Sequence, residues 1–447
     1  MNKEQKSFHG SRRKEFSRLI GRDSIALIFG STHMNKSYDG DYKFKQYKNF
    51  YYLTGFEEAN SALMLVPGGI KLKSEKNEVT ANEVLFVQKK DQMLETWNGK
   101  RVGYQNVKNE LGIENARENK DLSFYLNSKF LSRFRKLYIN LGEMLKLSDD
   151  METIITPFLN MLNRTAPHVE IIDASYLLGT MRFVKTPFEI KKIKNAADVS
   201  TSAYFETLKS IYPGINEFNV QSVLEFYYRF YGGDDIAYHP IVAAGENACI
   251  LHYQNNDQHL ENGDLLLIDS ASEYNYYCSD ITRTFPVNGI FTDEQKLIYE
   301  IVLKANKECI KKIRPGVKFS YINQLSEKVL ADGLFDAGIL KDKKNIKKYS
   351  LHGVGHHIGL DTHDAVPFAK TGVSDFDTLK EGNVITIEPG LYFTKDMKEI
   401  PLKLRGTGVR IEDDILVTKN GCLNLTEDMI KEVTEIEDAM KENDSDQ

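Results

Sequence analysis

The chain has 447 residues, of which 41% are hydrophobic and 27% are charged, and its formal net charge at pH 7 is -6. These values are typical of a globular protein of two or three domains, and an acidic balance without a basic stripe predicts no binding of nucleic acid. The N-terminus lacks the apolar core of a signal peptide, no apolar run reaches the roughly 18 residues of a membrane span, and four scattered cysteines predict free thiols in the cytoplasm.

The N-terminal part alternates segments of strand character with polar segments of helical character. Residues 44–69 are rich in aromatic and aliphatic side chains and end in a Pro-Gly-Gly turn. Residues 82–91, 136–142 and 168–175 repeat the strand pattern. Because strands that alternate with helices form a sheet covered by helices, we predict an α/β domain over residues 1–178.

A long helix is predicted to begin shortly after residue 178. Thr186 and Glu189 form a capping-box sequence, and Pro187 occupies the first helical position. We therefore place a domain boundary at this point and predict a second, α+β domain over residues 179–447.

The second domain contains a faint internal repeat. Residues 210–220 and 312–322 each carry a Pro-Gly pair that follows one amphipathic helix and opens another. The second of these helix pairs begins with its own capping box, Thr292 to Gln295. The repeat indicates a duplicated α+β half-domain.

Two aspartates in residues 263–287 follow or precede apolar strand sequences. Asp269 follows a run of four apolar residues, and Asp280 lies eleven positions later, before a second strand. A hairpin would bring the two carboxylates face to face, which is unfavourable unless a cation lies between them. The simpler alternative is an aspartate that turns the chain at a strand end.

Histidines and glutamates concentrate in three later segments. Residues 351–364 hold four histidines within twelve positions, which packing alone explains poorly. Glu388 ends an apolar strand before a Pro-Gly turn, and Arg410 and Glu412 alternate with apolar residues on one predicted strand face. Taken alone, Glu412 is equally compatible with a salt bridge to a neighbouring strand.

Together these residues occur in the order Asp, Asp, His, Glu, Glu, which resembles the aminopeptidase P and prolidase group of metallopeptidases. The resemblance covers nearly the whole chain and is strongest over residues 237–417. It implies that residues 179–447 have the pita-bread fold. It also implies five metal ligands, which are Asp269, Asp280, His356, Glu388 and Glu412.

The same resemblance implies that Asp280 and Glu412 bridge two ions, and that Glu388 also carries a proton to the leaving proline nitrogen. Four carboxylates carry four negative charges, which two divalent cations would offset. A ligand set of oxygens with one imidazole favours Mn²⁺, Co²⁺ or Fe²⁺, and the family likeness favours manganese.

Further residues match family positions around the substrate. His252, His352 and His363 are implied to act in catalysis and in substrate binding, and Tyr392 and Arg410 to line or brace the same pocket. The substrates implied are peptides with proline at the second position. The family likeness also suggests a homodimer or homotetramer.

The segment 89–103 favours an aminopeptidase over a prolidase, which cleaves Xaa-Pro dipeptides with the same ligands. It matches the Glu-x-Trp-x-Gly-x-Arg-x-Gly motif of bacterial-type aminopeptidase P and contains the chain's one tryptophan, Trp97. A methionine aminopeptidase would not require the long N-terminal domain. A non-catalytic pita-bread binding module would lack some of the five ligands, all of which are present here.

Overall fold

The computed structural model describes residues 1–73, 78–147, 149–364 and 376–441. The chain divides into two compact units, Met1–Met181 and Arg182–Gln447. The predicted boundary after residue 178 lies inside the last helix of the first unit, and the domain limits stay a prediction.

The first unit combines helices with a mixed sheet. Its helices are α1 (Lys3–Ile20), α2 (Lys48–Thr54), α3 (Gln92–Asn98), α4 (Val107–Leu111), α5 (Ser128–Leu131), α6 (Leu141–Leu147), α7 (Asp149–Thr165) and α8 (Ser175–Phe183). Its strands are β1 (Ser24–Phe29), β2 (Asn35–Ser37), β3 (Gly40–Asp41), β4 (Ala62–Lys73), β5 (Glu78–Val87), β6 (Ala116–Glu118), β7 (Lys136–Ile139) and β8 (Glu170–Asp173). The main sheet has the order β6-β5-β4-β1-β7-β8. Strand β1 is antiparallel to β4 and parallel to β7. The α/β character predicted for this part is confirmed.

The strand prediction was wrong for the first half of residues 44–69, which forms the short helix α2. Phe50, Tyr52 and Leu53 are fully buried there. The ring of Tyr52 packs at 5.7 Å from that of Phe8 on α1. A run of adjacent apolar residues has no period that separates helix from strand, so tertiary packing decides.

The second unit contains longer helices and several small antiparallel sheets. Its helices are α9 (Pro187–Leu208), α10 (Glu217–Phe230), α11 (Asp293–Ile310), α12 (Phe319–Asp336) and α13 (Val433–Lys441). Its strands are β9 (Asp235–Ile236), β10 (Ile241–Ala244), β11 (Leu265–Asp269), β12 (Ser272–Tyr274), β13 (Tyr277–Cys278), β14 (Thr282–Pro286), β15 (Val384–Ile387), β16 (Gly390–Phe393), β17 (Thr407–Arg410), β18 (Asp413–Thr418) and β19 (Gly421–Asn424). Their orders are β10-β11-β14, β13-β12-β9, β15-β18-β19 and β16-β17.

The internal repeat is visible in the helix pairs α9–α10 and α11–α12. Helices α9 and α11 both begin at the predicted capping boxes. Between the helices of each pair, Gly214 and Gly316 have φ angles of 97° and 86°, a region that favours glycine. Their N–H groups donate to the carbonyls of Leu260 and Leu379, at 2.7 and 2.8 Å. The two halves thus use the same turn and the same type of bond ahead of β11 and β15.

Apolar residues from both halves share one core. Val242 on β10, Ile268 on β11 and Phe285 on β14 are fully buried with Ile298 and Val302 of α11. Polar side chains lie outside this core, at the ends of β11, β15 and β17. Among the described residues, no helix combines the length and apolar character that a membrane crossing requires.

Candidate metal centre

A cavity of about 580 Å³ lies in the second unit. Every predicted site residue except Tyr392 lines it. Its carboxylate and histidine lining comprises Asp269, Asp280, Glu388, Glu412, His239, His252, His352, His356 and His363.

Asp269 and Asp280 reach the cavity from the β11–β14 pair. Asp269 is the last residue of β11, and Asp280 lies just before β14. The two strands are antiparallel, as the predicted hairpin requires, but β12 and β13 intervene and Asp269 lies opposite Thr282 rather than Asp280. The Tyr238 hydroxyl lies 2.6 Å from Asp269 Oδ1 and 2.5 Å from Asp280 Oδ1. One phenol therefore ties the two carboxylates together.

His356 and Glu388 come from the loop beside β15 and from the end of that strand. The His356 N–H donates to Thr386 Oγ1 at 3.0 Å, and the Thr386 N–H donates back to the His356 carbonyl at 2.8 Å. A Cβ at Gly355 would lie 2.1 Å from the Thr386 carbonyl oxygen, so glycine permits this close approach. His356 Nε2 then lies 3.4 Å from Asp280 Oδ2 and 3.5 Å from Glu388 Oε1.

Glu412 and Arg410 flank the break between β17 and β18. The predicted continuous strand was wrong, because β17 ends at Arg410 and β18 begins at Asp413. Both side chains nevertheless line the cavity. Thr282 Oγ1 donates to Glu412 Oε2 at 2.6 Å, and Arg410 Nη2 donates to Asp269 Oδ2 at 2.7 Å. Arg410 thus holds one carboxylate, and Thr282 holds another.

His352 and Tyr392 form a buried link to Arg410. His352 Nε2 lies 2.6 Å from the Tyr392 hydroxyl, to which Arg410 Nη1 donates at 2.8 Å. Tyr392 is fully buried behind His352, so its predicted contact with substrate stays a prediction. Burial, reinforced by Arg410, lowers the pKa of His352 to about 4, which keeps this ring neutral at pH 7. His252 and His363 are more exposed.

The electrostatics of the cavity fit divalent cations. Burial, together with the Asp280 and Glu388 carboxylates, raises the pKa of Glu412 well above its ordinary value. Burial raises the pKa of Glu388 and of Asp269 as well, although Arg410 partly offsets the rise at both. These carboxylates are crowded beyond what the nearby Arg410 neutralises, and a cation among them would relieve the repulsion.

The positions of the side chains also fit a metal ion. Asp280, His356 and Glu412 each offer one ligand atom, and these atoms lie within 4.8 Å of one another. Burial lowers the pKa of His356, but its bond to Asp280 and the nearby Glu388 outweigh burial and raise it to about 9. The imidazole therefore carries a proton at a position where a metal ion would replace it.

Comparison with known proteins places this geometry in a family. The model of metallopeptidase family M24 matches residues 191–419, and that of the aminopeptidase P N-terminal domain matches residues 9–138. The chain is 34% identical to the Xaa-Pro aminopeptidase of Haemophilus influenzae over 98% of its own length and 97% of the relative's. The chain belongs to the aminopeptidase P group of metallopeptidase family M24.

Solved structures agree. The structure of Pseudomonas aeruginosa aminopeptidase PepP has a TM-score of 0.89 and 34% identity, covering 98% of this chain and 99% of that one. Zinc-substituted Escherichia coli aminopeptidase P in complex with product has a TM-score of 0.88 and 32% identity, covering 98% of both chains. The predicted pita-bread domain and the predicted class, a metal-dependent Xaa-Pro aminopeptidase, are confirmed.

The sequence analysis did not predict three residues of this aminopeptidase P site. Tyr238 joins two of the acids, Thr282 holds Glu412, and Asp414 accepts from the Asp280 N–H at 3.1 Å. Each contacts its partners across 31 or more positions of the chain, and Tyr238 and Thr282 carry no charge that marks them in the sequence. The acidic run that contains Asp414 was the one available signal.

Proposed function

We propose that this chain removes the first residue from peptides whose second residue is proline, with two divalent ions held by the cavity acids. The observation that carries this proposal is the convergence of four carboxylates and one imidazole in a single cavity. The residues that would hold the ions are Asp269, Asp280, His356, Glu388 and Glu412.

Manganese is the metal that we propose. The donors are carboxylate oxygens and one imidazole, a set that suits Mn²⁺, Co²⁺ or Fe²⁺. When bound, a pair of such ions polarises a carbonyl oxygen and lowers the pKa of a shared water toward neutrality. Metal analysis of the purified protein, followed by activity after reloading with each ion, tests this choice.

The residues around the ligands would orient the peptide and move the proton. His252 and His363, on the more exposed part of the lining, would contact the carbonyl of the first residue. Glu388 would take up the proton of the attacking water and give it to the proline nitrogen as the C–N bond breaks. Its carboxylate oxygens lie 3.5 Å from both His352 Nδ1 and His356 Nε2, which places it at the centre of the site.

A bond before proline needs a dedicated site because its nitrogen carries no hydrogen and its ring restricts the preceding residue. Recognition therefore depends on the shape of the ring. The apolar side chains of Ile241 and Leu251 and the ring of Tyr238 line the cavity beside the acids. These surfaces would contact the proline ring.

The test compares a tripeptide Xaa-Pro-Yaa with a dipeptide Xaa-Pro in the presence of Mn²⁺. We expect release of the first residue from the tripeptide. Cleavage of the dipeptide alone would assign the chain to prolidase, and cleavage of neither peptide by metal-loaded protein would favour a binding module. Glu388→Ala is the matched variant, and normal metal content with full activity would remove Glu388 from the mechanism.

We also propose that the protein is a homodimer or homotetramer. Helix α3 exposes an apolar cluster, in which Trp97, Met93 and Leu94 are 80%, 68% and 37% exposed. Such a cluster is typical of a contact surface. Light scattering after size exclusion, repeated with Trp97→Glu, should give a smaller mass for the variant. An unchanged mass would remove α3 from the interface.

The cytoplasm is the compartment that we propose. Cys249, Cys278, Cys309 and Cys422 are free thiols, and the first three are buried. Free buried thiols suit a reducing compartment. Fractionation of cells that express the tagged protein would check this placement.

A further inference from the structure

Four charged side chains form a cluster behind the loop that carries His363. Arg182 Nη2 lies 2.5 Å from Asp361 Oδ2 and 2.5 Å from Asp364 Oδ1, and Lys185 Nζ lies 2.9 Å from Asp364 Oδ2. The side chains of Arg182, Lys185 and Asp364 are 3%, 1% and 2% exposed. The proposed mechanism uses none of the four.

Asp361 is 41% exposed, and the other three charges are buried and have to be stabilised by one another. Removing ions from water costs several kcal/mol for each ion, which good mutual geometry offsets. Burial acts to raise the pKa of Asp364, but Arg182 and Lys185 outweigh burial and lower it to about 2. Asp364 is therefore ionised at every pH at which the enzyme would work.

The two aspartates bracket a short stretch of the cavity wall. Between Asp361 and Asp364 lie Thr362 and His363, and both line the cavity. The Asp364 N–H donates to the His357 carbonyl at 2.8 Å, which closes the loop at its base. The cluster thus binds the loop at Asp361 and Asp364, on either side of His363.

Two further contacts hold the loop and the cationic side chains in place. A Cβ at Gly359 would lie 2.5 Å from Asp364 Oδ2 and 3.0 Å from Lys185 Cε, so the Asp364 carboxylate lies directly against a glycine. The Lys185 N–H donates to the Gly382 carbonyl at 2.8 Å, which fixes the cation-bearing segment to the chain ahead of β15. Both partners are therefore anchored.

We propose that Arg182 and Lys185 are positioning residues that hold His363 and Thr362 in the cavity by binding Asp361 and Asp364. This inference rests on the proposed function only in that His363 contacts the peptide. The cations never reach the reacting atoms. Their effect passes through the backbone of residues 361–364.

The test uses the full-length, metal-loaded protein and the variants Arg182→Met and Arg182→Lys. For Arg182→Met we expect kcat to fall about 10- to 100-fold, as for a small misplacement of a contact residue, with KM within about twofold and unchanged metal content. Arg182→Lys keeps the charge and should recover part of kcat. In a His363→Ala background, Arg182→Met should cost little more, because the residue that it positions is already gone.

Hydrogen exchange gives a measure that is independent of turnover. Amides of residues 357–364 should exchange faster in Arg182→Met, while those of β15 stay unchanged. Arg13→Met is the matched control, because Arg13 is also 3% exposed and ion-paired, to Glu83 at 2.8 Å. It should alter neither kcat nor the exchange of residues 357–364.

Two results would overturn the proposal. One is wild-type exchange of residues 357–364 in Arg182→Met, and the other is a kcat loss that adds in full to that of His363→Ala. If Arg182→Met does not fold, Arg182→Lys and Asp361→Asn carry the same two measurements. A wild-type protein that cleaves no Xaa-Pro peptide would remove the proposed function and leave the exchange result standing as the decisive test of positioning.

Discussion

Glu412 and Asp413 are adjacent in the chain and buried, but their surroundings shift their pKa values in opposite directions. Glu412 faces the cavity, where burial and the neighbouring Asp280 raise its pKa well above the ordinary value. Asp413 faces the other side, where burial also acts to raise its pKa but Arg283 and Lys431 outweigh burial and lower it. Arg283 Nη2 lies 2.8 Å and Lys431 Nζ lies 2.5 Å from its oxygens.

The difference separates two uses of a buried acid. Asp413 is neutralised within the protein, and so is Asp364 between its Arg and Lys, so both hold elements together. The cavity acids Asp269, Asp280, Glu388 and Glu412 outnumber the two cations beside them, Arg410 and the protonated His356, and bound metal ions would balance the excess negative charge. Of Glu412 and Asp413, the carboxylate with the raised pKa lines the cavity and the one with the lowered pKa belongs to a structural ion pair.

The largest effect is expected at Glu412. With metal present, Glu412→Gln should lower kcat/KM by about 1,000-fold, equivalent to roughly 4 kcal/mol, because one anionic ligand is lost from the site. Metal analysis should show fewer ions per chain. A variant that keeps two ions and full activity would contradict the assignment of Glu412 as a ligand.

A change beside Asp413, the first residue of β18, should affect stability instead. Arg283→Met leaves Asp413 with Lys431 as its remaining cation partner among the described ion pairs, and we expect a loss of about 3–5 kcal/mol in the free energy of unfolding. Denaturant titration measures it. Asp413→Leu alone should also lower the free energy of unfolding, because the charges of both Arg283 and Lys431 then lose their shared acid. Wild-type stability of Asp413→Leu would indicate that the backbone contacts of Arg283, rather than the ion pairs, stabilise this region.

The sequence alone was sufficient to predict features whose signal lies within a short segment of the chain. Capping boxes and Pro-Gly turns predicted where α9 and α11 begin and where each helix pair turns. The acids at the end of β11 and just after β15 stood out because a buried carboxylate is costly unless it is paired or bound to a metal. The ligand assignments themselves stay predictions.

What could not be predicted depends on contacts between distant segments. Tyr238 meets Asp280 across 42 positions, and Arg182 meets Asp364 across 182. Topology creates such pairs, and no spacing rule within one sequence reveals them. The same holds for Glu412 and Asp413, whose adjacent carboxylates look alike until the surroundings of each side chain are known. The break before β18 was likewise invisible, because alternation continued across it.

The smallest and most selective effect is expected in metal-free protein. At pH 8 the free energy of unfolding of Glu412→Gln should exceed that of the wild type by about 1–4 kcal/mol. The folded pKa of Glu412 is raised above its unfolded value of 4.5, so the cost of its charge is present above the folded pKa. That cost declines as pH falls through the folded pKa and is gone below 4.5. The advantage of the variant should therefore shrink on acidification, and groups distant from Glu412, such as the buried His9, cancel in the difference. Parallel denaturant titrations between pH 8 and pH 5 with a chelator present measure it. A difference that stays constant with pH would show that Glu412 does not carry an unbalanced charge, and the contrast with Asp413 would then fail.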